Sequence, residues 1–272
     1  MHYTNINGKT ILASENTIAV DNGAFRYGYG LFETMLVQNN VIRLAGYHWE
    51  RLFSGISQLQ LELPAIVTAH YLEAEIIKTV GKNKLGNLCR VRLQVYAGGG
   101  GLYGENIAKA GYIIECFPLA ASVLQLNENG LVAGISEGLF KSADALSNLK
   151  TCNALIYAIA ARQAKANKWN DALIKNSQGN IIESTIANVF WVKDNAVYTP
   201  PLTEGCVAGA MRRHILAKLP AVNQKILTVH ELMCADEVFL SNAIKGIKWA
   251  GDAGGKKMKN KVTGEVYAAC LH

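Results

Sequence analysis

Proline is scarce, five in 272 residues, and charged residues make up only 18 % of the chain against 50 % hydrophobic ones. That balance excludes the disordered and collagen-like classes and leaves a well-packed protein long enough for one large domain or two smaller ones. No apolar run approaches the roughly 18 residues of a membrane-spanning helix. The opening MHYTNINGKT also lacks a basic start followed by an apolar core, so neither secretion nor membrane insertion is expected. Six cysteines, Cys89, Cys116, Cys152, Cys206, Cys234 and Cys270, stand far apart without the paired spacing of a zinc site or a redox dithiol. They read as buried thiols of a cytoplasmic protein. His48 and His70 fall in helical stretches without companion ligands, so no metal is expected. The net charge of +6 is scattered except in GGKKMKNK, residues 254–261. With no aromatics interleaved, that cluster reads as a solvated hairpin loop, and no nucleic-acid partner is expected.

Along the chain, TIAVDNG and YGYGLFETMLVQNNVIRL suggest strands, the latter a hairpin turning at Asn39-Asn40. Tyr47, Leu52, Ile56 and Leu59 follow helical spacing, and a second helix is expected after Pro64, running to about Thr79. LCRVRLQVYA is a strand entering a glycine loop, GYIIECFPLA another strand, and PLAASVLQLNEN a connector. The expected division is a smaller α+β domain over 1–118, a connector over 119–129 and a larger domain over 130–272. In the last, a helix follows Lys150, a meander of short strands turns at Ser177-Gln178-Gly179 and Asp194-Asn195, and a helix runs from about Val207 to Leu219.

Five places could carry chemistry. In LSNLKTCNALIYAIAARQAK, residues 146–165, Lys150 stands among small, amidic and apolar neighbours ahead of a helix. A partly desolvated lysine has a lowered pKa and is nucleophilic. Glu183 ends the strand NIIE and is followed by small polar residues; a carboxylate buried there needs a cationic partner, which a protonated ring nitrogen would supply. In GCVAGAMRRHIL, Gly205 and Gly209 precede a helix expected near Ala210, whose free N–H groups and dipole suit a phosphate. Ser241 and Asn242 close the strand EVFL with short hydrogen-bonding side chains, and Arg51 in HWERLF can grip phosphate oxygens bidentately. A nucleophilic lysine, an acid for a ring nitrogen and a phosphate cradle are together what pyridoxal phosphate requires.

From DNGAFRYGYGLFETMLV to EVFLSNAIKGIKW the chain resembles the class IV aminotransferases. These are the fold-type IV pyridoxal-phosphate enzymes that include branched-chain and D-amino-acid aminotransferases and aminodeoxychorismate lyase. The resemblance implies an α/β fold, an α+β N-terminal domain with a barrel-like C-terminal domain, the cofactor between them, and a homodimer. It implies that Lys150 in NLKTCNAL is the Schiff-base lysine and proton-transfer base, that Glu183 pairs with the ring nitrogen and that Arg51 binds the phosphate. Ala210 and Met211 fall in the phosphate loop, Val207 where an apolar side chain supports the ring, and Asn242, with Ser241 beside it, where a polar phosphate contact is expected. Phe32, Glu33 and Thr34 stand where the family lines its pocket, Phe32 as a wall and Glu33 equally readable as a hydrogen-bonded strand residue.

Three motifs resemble the lyase branch: asparagine three residues after the lysine in KTCN, GAMR near the lyase form GIMR, and SNA near CNA. The lyase expels pyruvate from aminodeoxychorismate to leave 4-aminobenzoate, a step of folate biosynthesis; a branched-chain or D-amino-acid transaminase would instead make a keto acid. One departure opposes the lyase: YAGGGGLYG offers Tyr96 and Gly101 where arginines of the glycine loop are expected to hold an acidic substrate. Arg26, Arg90, Arg92 or a partner subunit could replace them; Arg90 and Arg92 alternate on one strand and so face one side. The run Gly98 to Gly101 reads as a substrate-covering loop. A second class, a cofactor-binding homologue without activity, stays open, although retention of Lys150, Glu183 and Arg51 together favours an enzyme.

Overall fold

The computed structural model describes residues 2–99 and 109–271. Its contacts divide the chain into two units, Met1–Val123 with Leu149–Asn153, and Leu124–Asn148 with Ala154–His272. Leu149–Asn153, expected in the C-terminal domain, groups instead with the first unit. Gly100 and Gly101 of the expected substrate-covering loop lie outside the described residues.

The first unit consists of β1 (Tyr3–Ile6), β2 (Lys9–Leu12), α1 (Gly23–Tyr27), β3 (Gly30–Gln38), β4 (Val41–Ile42), α2 (Ala45–Gln58), α3 (Ala69–Asn83), β5 (Leu88–Ala97) and β6 (Ala110–Pro118). Its antiparallel sheet runs β2-β1-β6-β5-β3-β4. The period of two sends Leu31 and Met35, Val91, Leu93 and Val95, and Ile114 and Cys116 inward against Leu52 and Ile56 of α2 and Leu72 and Ile76 of α3. The opposite face carries Phe32, Thr34, Arg92, Gln94 and Tyr96, all half-buried. Asn39 and Asn40 turn the expected hairpin with positive φ at both, the geometry of a type I′ turn. Leu149–Asn153 lines the part of β3 that β4 leaves open: Phe32 N–H donates to Lys150 O at 2.9 Å and Cys152 N–H to Gly30 O at 2.8 Å.

Two expectations for this unit are corrected. TIAVDNG forms no strand; Asn22 Oδ1 instead accepts from the N–H groups of Ala24 and Phe25 and starts α1, a local cap that outcompetes pairing. The helix after Pro64 begins only at Ala69, because Pro64 O accepts from Val67 N–H in a turn and Thr68 supplies the N-cap.

The second unit consists of β7 (Leu131–Lys141), α4 (Leu155–Ala166), β8 (Asp171–Asn176), β9 (Ile181–Ser184), β10 (Asn188–Lys193), β11 (Ala196–Thr199), α5 (Ala210–Lys218), β12 (Asn223–Gln224), α6 (Val229–Cys234), β13 (Glu237–Asn242), β14 (Gly246–Ala253), β15 (Lys256–Lys257) and α7 (Lys261–Leu271). Its strands run β12-β11-β10-β13-β14-β7-β8-β9, and β9 pairs again with β10. That last pairing closes β10, β13, β14, β7, β8 and β9 into a barrel, as expected. Strands β7 and β8 are parallel, and α4 makes the crossover between them that parallel pairing requires. Trp191, Leu173, Ile181, Val238 and Leu240 form the core on one side of the sheet; Phe190 and Phe239 stack on the other, with ring centroids 4.8 Å apart.

The sequence reading did not anticipate β7, α6 or α7. Helix α7 is started by the buried Glu237 carboxylate, which accepts from the N–H groups of Val262 and Thr263 and from the Thr263 hydroxyl at 2.8–2.9 Å. The basic cluster is a hairpin as expected, although Lys256 donates to the carbonyls that end α6. Cys89, Cys116, Cys206 and Cys270 are buried, Cys152 is half-buried, and Cys234 is exposed, contrary to its reading as a buried thiol. Among the described residues no helix is long and apolar enough to cross a membrane, and no cluster of His, Cys, Asp and Glu could hold a metal ion.

Candidate active site

One row of side chains crosses the barrel. Ile174 of β8 is in register with Glu183 of β9, Glu183 with Asn188 of β10, Asn188 with Ser241 of β13, and Ser241 with Ile247 of β14. Residues directly opposite in a sheet share a face, so Glu183, Asn188 and Ser241 face the same way. Two strand spacings, roughly 10 Å, separate Glu183 from Ser241. Glu183 is brought to the row by the tight turn at 185–187, which Asp171 stabilises by accepting from the Thr185 N–H and from the hydroxyls of Thr185 and Ser184.

At one end of the row Glu183 is only 4 % exposed and accepts three hydrogen bonds: from Lys141 Nζ (2.7 Å) and the Tyr157 hydroxyl (2.8 Å) on Oε1, and from Val207 N–H (2.8 Å) on Oε2. Burial and the neighbouring carboxylate push the Tyr157 phenol well above its ordinary pKa, so it stays a donor. Burial, then Glu183, raises the Cys206 thiol to about 11 and leaves it inert. The segment ahead of Lys150 is tied to the loop carrying Val207: Asn148 Nδ2 donates to the carbonyls of Leu202 and Cys206, and Ala208 N–H donates to Asn148 O.

At the other end lies the start of α5. Gly209 is its N-cap, no side chain caps it, and Ala210 and Met211 in its first turn are buried. A helix start buried without a side-chain partner leaves strong donors for an anion. Beside it Ser241 Oγ is buried and has no hydrogen-bond partner among the described residues. The cradle admits no extra atom, because a Cβ on Gly209 would stand 1.9 Å from Asn188 Oδ1. Gly209→Ala is expected to push this loop outward, to destabilise the fold by about 1–3 kcal/mol through overpacking against the buried Asn188, and to weaken binding of a phosphate-bearing cofactor at least about tenfold, equivalent to 1.4 kcal/mol; titration of the folded variant with the cofactor checks it.

In the first unit, Lys150 Nζ sits 4.4 Å from the centroid of the Phe32 ring, and the Arg92 guanidinium 3.9 Å from the same centroid. Arg92 also donates to Gln94 Oε1 at 2.9 Å. Burial lowers its pKa, opposed by Cys152 and by the Glu115 carboxylate. Arg92 therefore presents a cation on the sheet face that carries Lys150, with Glu115 of β6 as its cross-strand neighbour, whereas Arg90 is exposed over Phe117. Tyr96, expected in the substrate pocket, lines a cleft of about 310 Å³ with Gln94, Ile113 and Asn22. Thr34 lies on the same face, in register with Arg92.

Glu33 points the opposite way, into the core. Arg51 reaches it with Nε (2.8 Å to Oε1) and Nη2, and His48 Nδ1 lies 2.6 Å from Oε2. Burial acts to raise the Glu33 pKa, but Arg51 and His48 outweigh it and hold the carboxyl at about 2. Arg51 is thus a braced guanidinium, and Glu33 is its support rather than a pocket wall. Asn242 has both ends of its side chain engaged: Oδ1 accepts from the N–H groups of Ile244 and Lys245, and Nδ2 donates to Ile186 O. Ser241, not Asn242, has the spare hydrogen-bonding capacity.

These residues suit pyridoxal phosphate in kind: a buried acid at one end, a tight anion cradle at the other, and the span of a pyridine ring with its phosphate arm between them. Lys141, Tyr157 and Asn188 are the participants that sequence reasoning missed; only Asn188, in the stretch IESTIANVF that follows Glu183, left a signal.

The family pattern described as Amino-transferase class IV matches residues 30–248. Aminodeoxychorismate lyase of Vibrio harveyi is 28 % identical over 234 residues, 85 % of this chain and 85 % of that protein. D-alanine aminotransferase of Bacillus licheniformis is 25 % identical over 254 residues, 87 % of this chain and 83 % of that protein. The branched-chain aminotransferase of the thermophilic archaeon Thermoproteus uzoniensis, solved with norvaline, shares the fold, with a TM-score of 0.87 at 23 % identity, covering 98 % of this chain and 92 % of the other. The chain belongs to the class IV aminotransferase family, enzymes whose cofactor is pyridoxal 5′-phosphate.

Proposed function

We propose that the protein abstracts the Cα proton of an amino-bearing substrate and acts as an aminodeoxychorismate lyase. The observation that carries the chemistry is the row from Glu183 to Ser241, an acid and an anion cradle on one sheet face. When bound, pyridoxal phosphate supplies an electron-accepting ring that takes up the electrons of the broken Cα–H bond. Glu183 Oε2 would accept a hydrogen bond from the ring nitrogen, and the N–H groups of Ala210 and Met211, Ser241 Oγ and the braced Arg51 would hold the phosphate. Lys150 Nζ would hold the cofactor covalently and would carry the proton taken from the substrate Cα. Phe32 and Thr34 form a wall, and Arg92 takes a substrate carboxylate in place of the missing glycine-loop arginine. The KTCN, GAMR and SNA motifs and the similarity to the Vibrio harveyi lyase support the lyase branch. A cytoplasmic homodimer belongs to the same reading, with exposed Ile18, Val20 and Phe25 as apolar surface for the second copy.

The test is to offer the loaded enzyme aminodeoxychorismate alone and, separately, branched-chain or D-amino acids with 2-oxoglutarate. Pyruvate released without an amino acceptor is the expected result. Keto acid formed only with the acceptor would make the protein a transaminase instead.

A further inference from the structure

The acid assigned to the ring nitrogen already has a cation of its own chain. Lys141, at the end of β7, is 12 % exposed and is the only cationic group in ion-pair contact with Glu183 among the described residues. Its ammonium also donates to Ser147 O at 2.9 Å and stands 5.5 Å from the centroid of the Tyr157 ring. Tyr157 in turn donates to the same Oε1 that Lys141 contacts. Oε1 therefore takes two side-chain donors, while Oε2 takes one backbone N–H. A carboxylate oxygen can accept about two hydrogen bonds, so the remaining capacity lies on Oε2.

We infer that Lys141 is a positioning residue for Glu183: it is the counter-ion of the cofactor-free site and, with Tyr157, fixes the carboxylate through Oε1 so that Oε2 is left for the cofactor ring. The inference rests on the assignment of Glu183 to the ring nitrogen. It has a thermodynamic consequence. Removing Lys141 leaves a buried carboxylate without a cation in the cofactor-free protein, a severe penalty. In the loaded protein the cationic ring takes over as counter-ion, so the penalty is smaller. The cofactor must then stabilise the variant more than it stabilises the wild type. A lysine with a purely structural role would lower both forms equally.

Thermal unfolding of the full chain, with and without pyridoxal phosphate, reads this directly for wild type, K141M, K141R and the double variant K141M/E183Q. In K141M the cofactor-induced rise in Tm is expected to exceed the wild-type rise by roughly 5 °C, while K141R behaves like wild type. The double variant, with no buried charge left to compensate, is expected to recover the Tm of the cofactor-free form. Equal losses in both forms of K141M would overturn the inference. If cofactor-free K141M does not fold, recovery of folding by the added E183Q change supports the inference and lack of recovery overturns it. Absence of any cofactor-induced rise in the wild type would defeat the assignment of Glu183 and this inference with it.

Discussion

Lys150→Ala is expected to leave a folded protein with at least about 10⁴-fold less turnover, beyond the upper range of what one acid–base group supplies. The size follows from the two tasks this amine performs, covalent attachment of the cofactor and proton transfer at the substrate Cα. The fold should survive, because the main chain at this position bonds β3 through Phe32 N–H whatever the side chain, and the ammonium rests on a half-buried face rather than in the core. Two measurements separate loss of chemistry from loss of structure. Borohydride treatment of the wild type should fix the cofactor to the peptide carrying Lys150, detectable by mass, and should fix none in the variant. The variant should still bind pyridoxal phosphate reversibly, because the α5 cradle and Glu183 are untouched. Added methylamine should restore part of the activity by entering the space the side chain leaves. Turnover within tenfold of wild type would remove Lys150 from the chemistry.

Which parts of this site could be read from the residues follows from how locally each is specified. Lys150, Glu183 and the GCVAGAMR loop announce themselves within a few neighbours, because an apolar or glycine-rich context around one polar group is visible in a short window. Lys141 and Tyr157 do not. Both acquire their partner only when β7, β8 and β9 close the barrel, and nothing near either residue points to Glu183. Ser241 and Asn242 are both visible at the end of EVFL, but that Ser241 is the one with spare hydrogen-bonding capacity follows only from its register with Asn188 and from the contacts that occupy Asn242. For Glu33 the signal was present: in LFETM, Leu31, Glu33 and Met35 share the inward face by alternation, and a carboxylate among core residues demands a cation. That demand is met from α2, where Arg51 and His48, three positions apart, lie on one helix face. The misread TIAVDNG shows the reverse case. Its apolar residues suit a strand, but the side chain of Asn22 supplies donors with a nearer acceptor and starts a helix.

Glu33 is expected to set the acid stability of the first unit. Its carboxyl is held at about 2 against an ordinary value of 4.5. Above about pH 4.5 the group is charged in both folded and unfolded chains, and its full contribution is present. Between 4.5 and 2 the unfolded chain takes up the proton while the folded one resists, so stability falls with pH; below about 2 the contribution is gone. At 1.36 kcal/mol per unit the window is worth about 3 kcal/mol. Glu33→Gln keeps the shape but removes the charge, leaving Arg51 and His48 facing a neutral amide in a buried site. The expected cost at pH 7 is roughly 3–5 kcal/mol, the range for breaking a buried pair. Urea unfolding at pH 7 and pH 3 should therefore show wild type and variant converging as the pH drops, with the variant nearly flat across the window. A parallel fall of both proteins would mean that other carboxylates govern acid unfolding. The same substitution also loosens the two nitrogens by which Arg51 is braced, so affinity for pyridoxal phosphate should fall while the contact between Lys150 and Phe32 persists. Stability and cofactor binding thus share one buried carboxylate on the far side of β3 from the lysine.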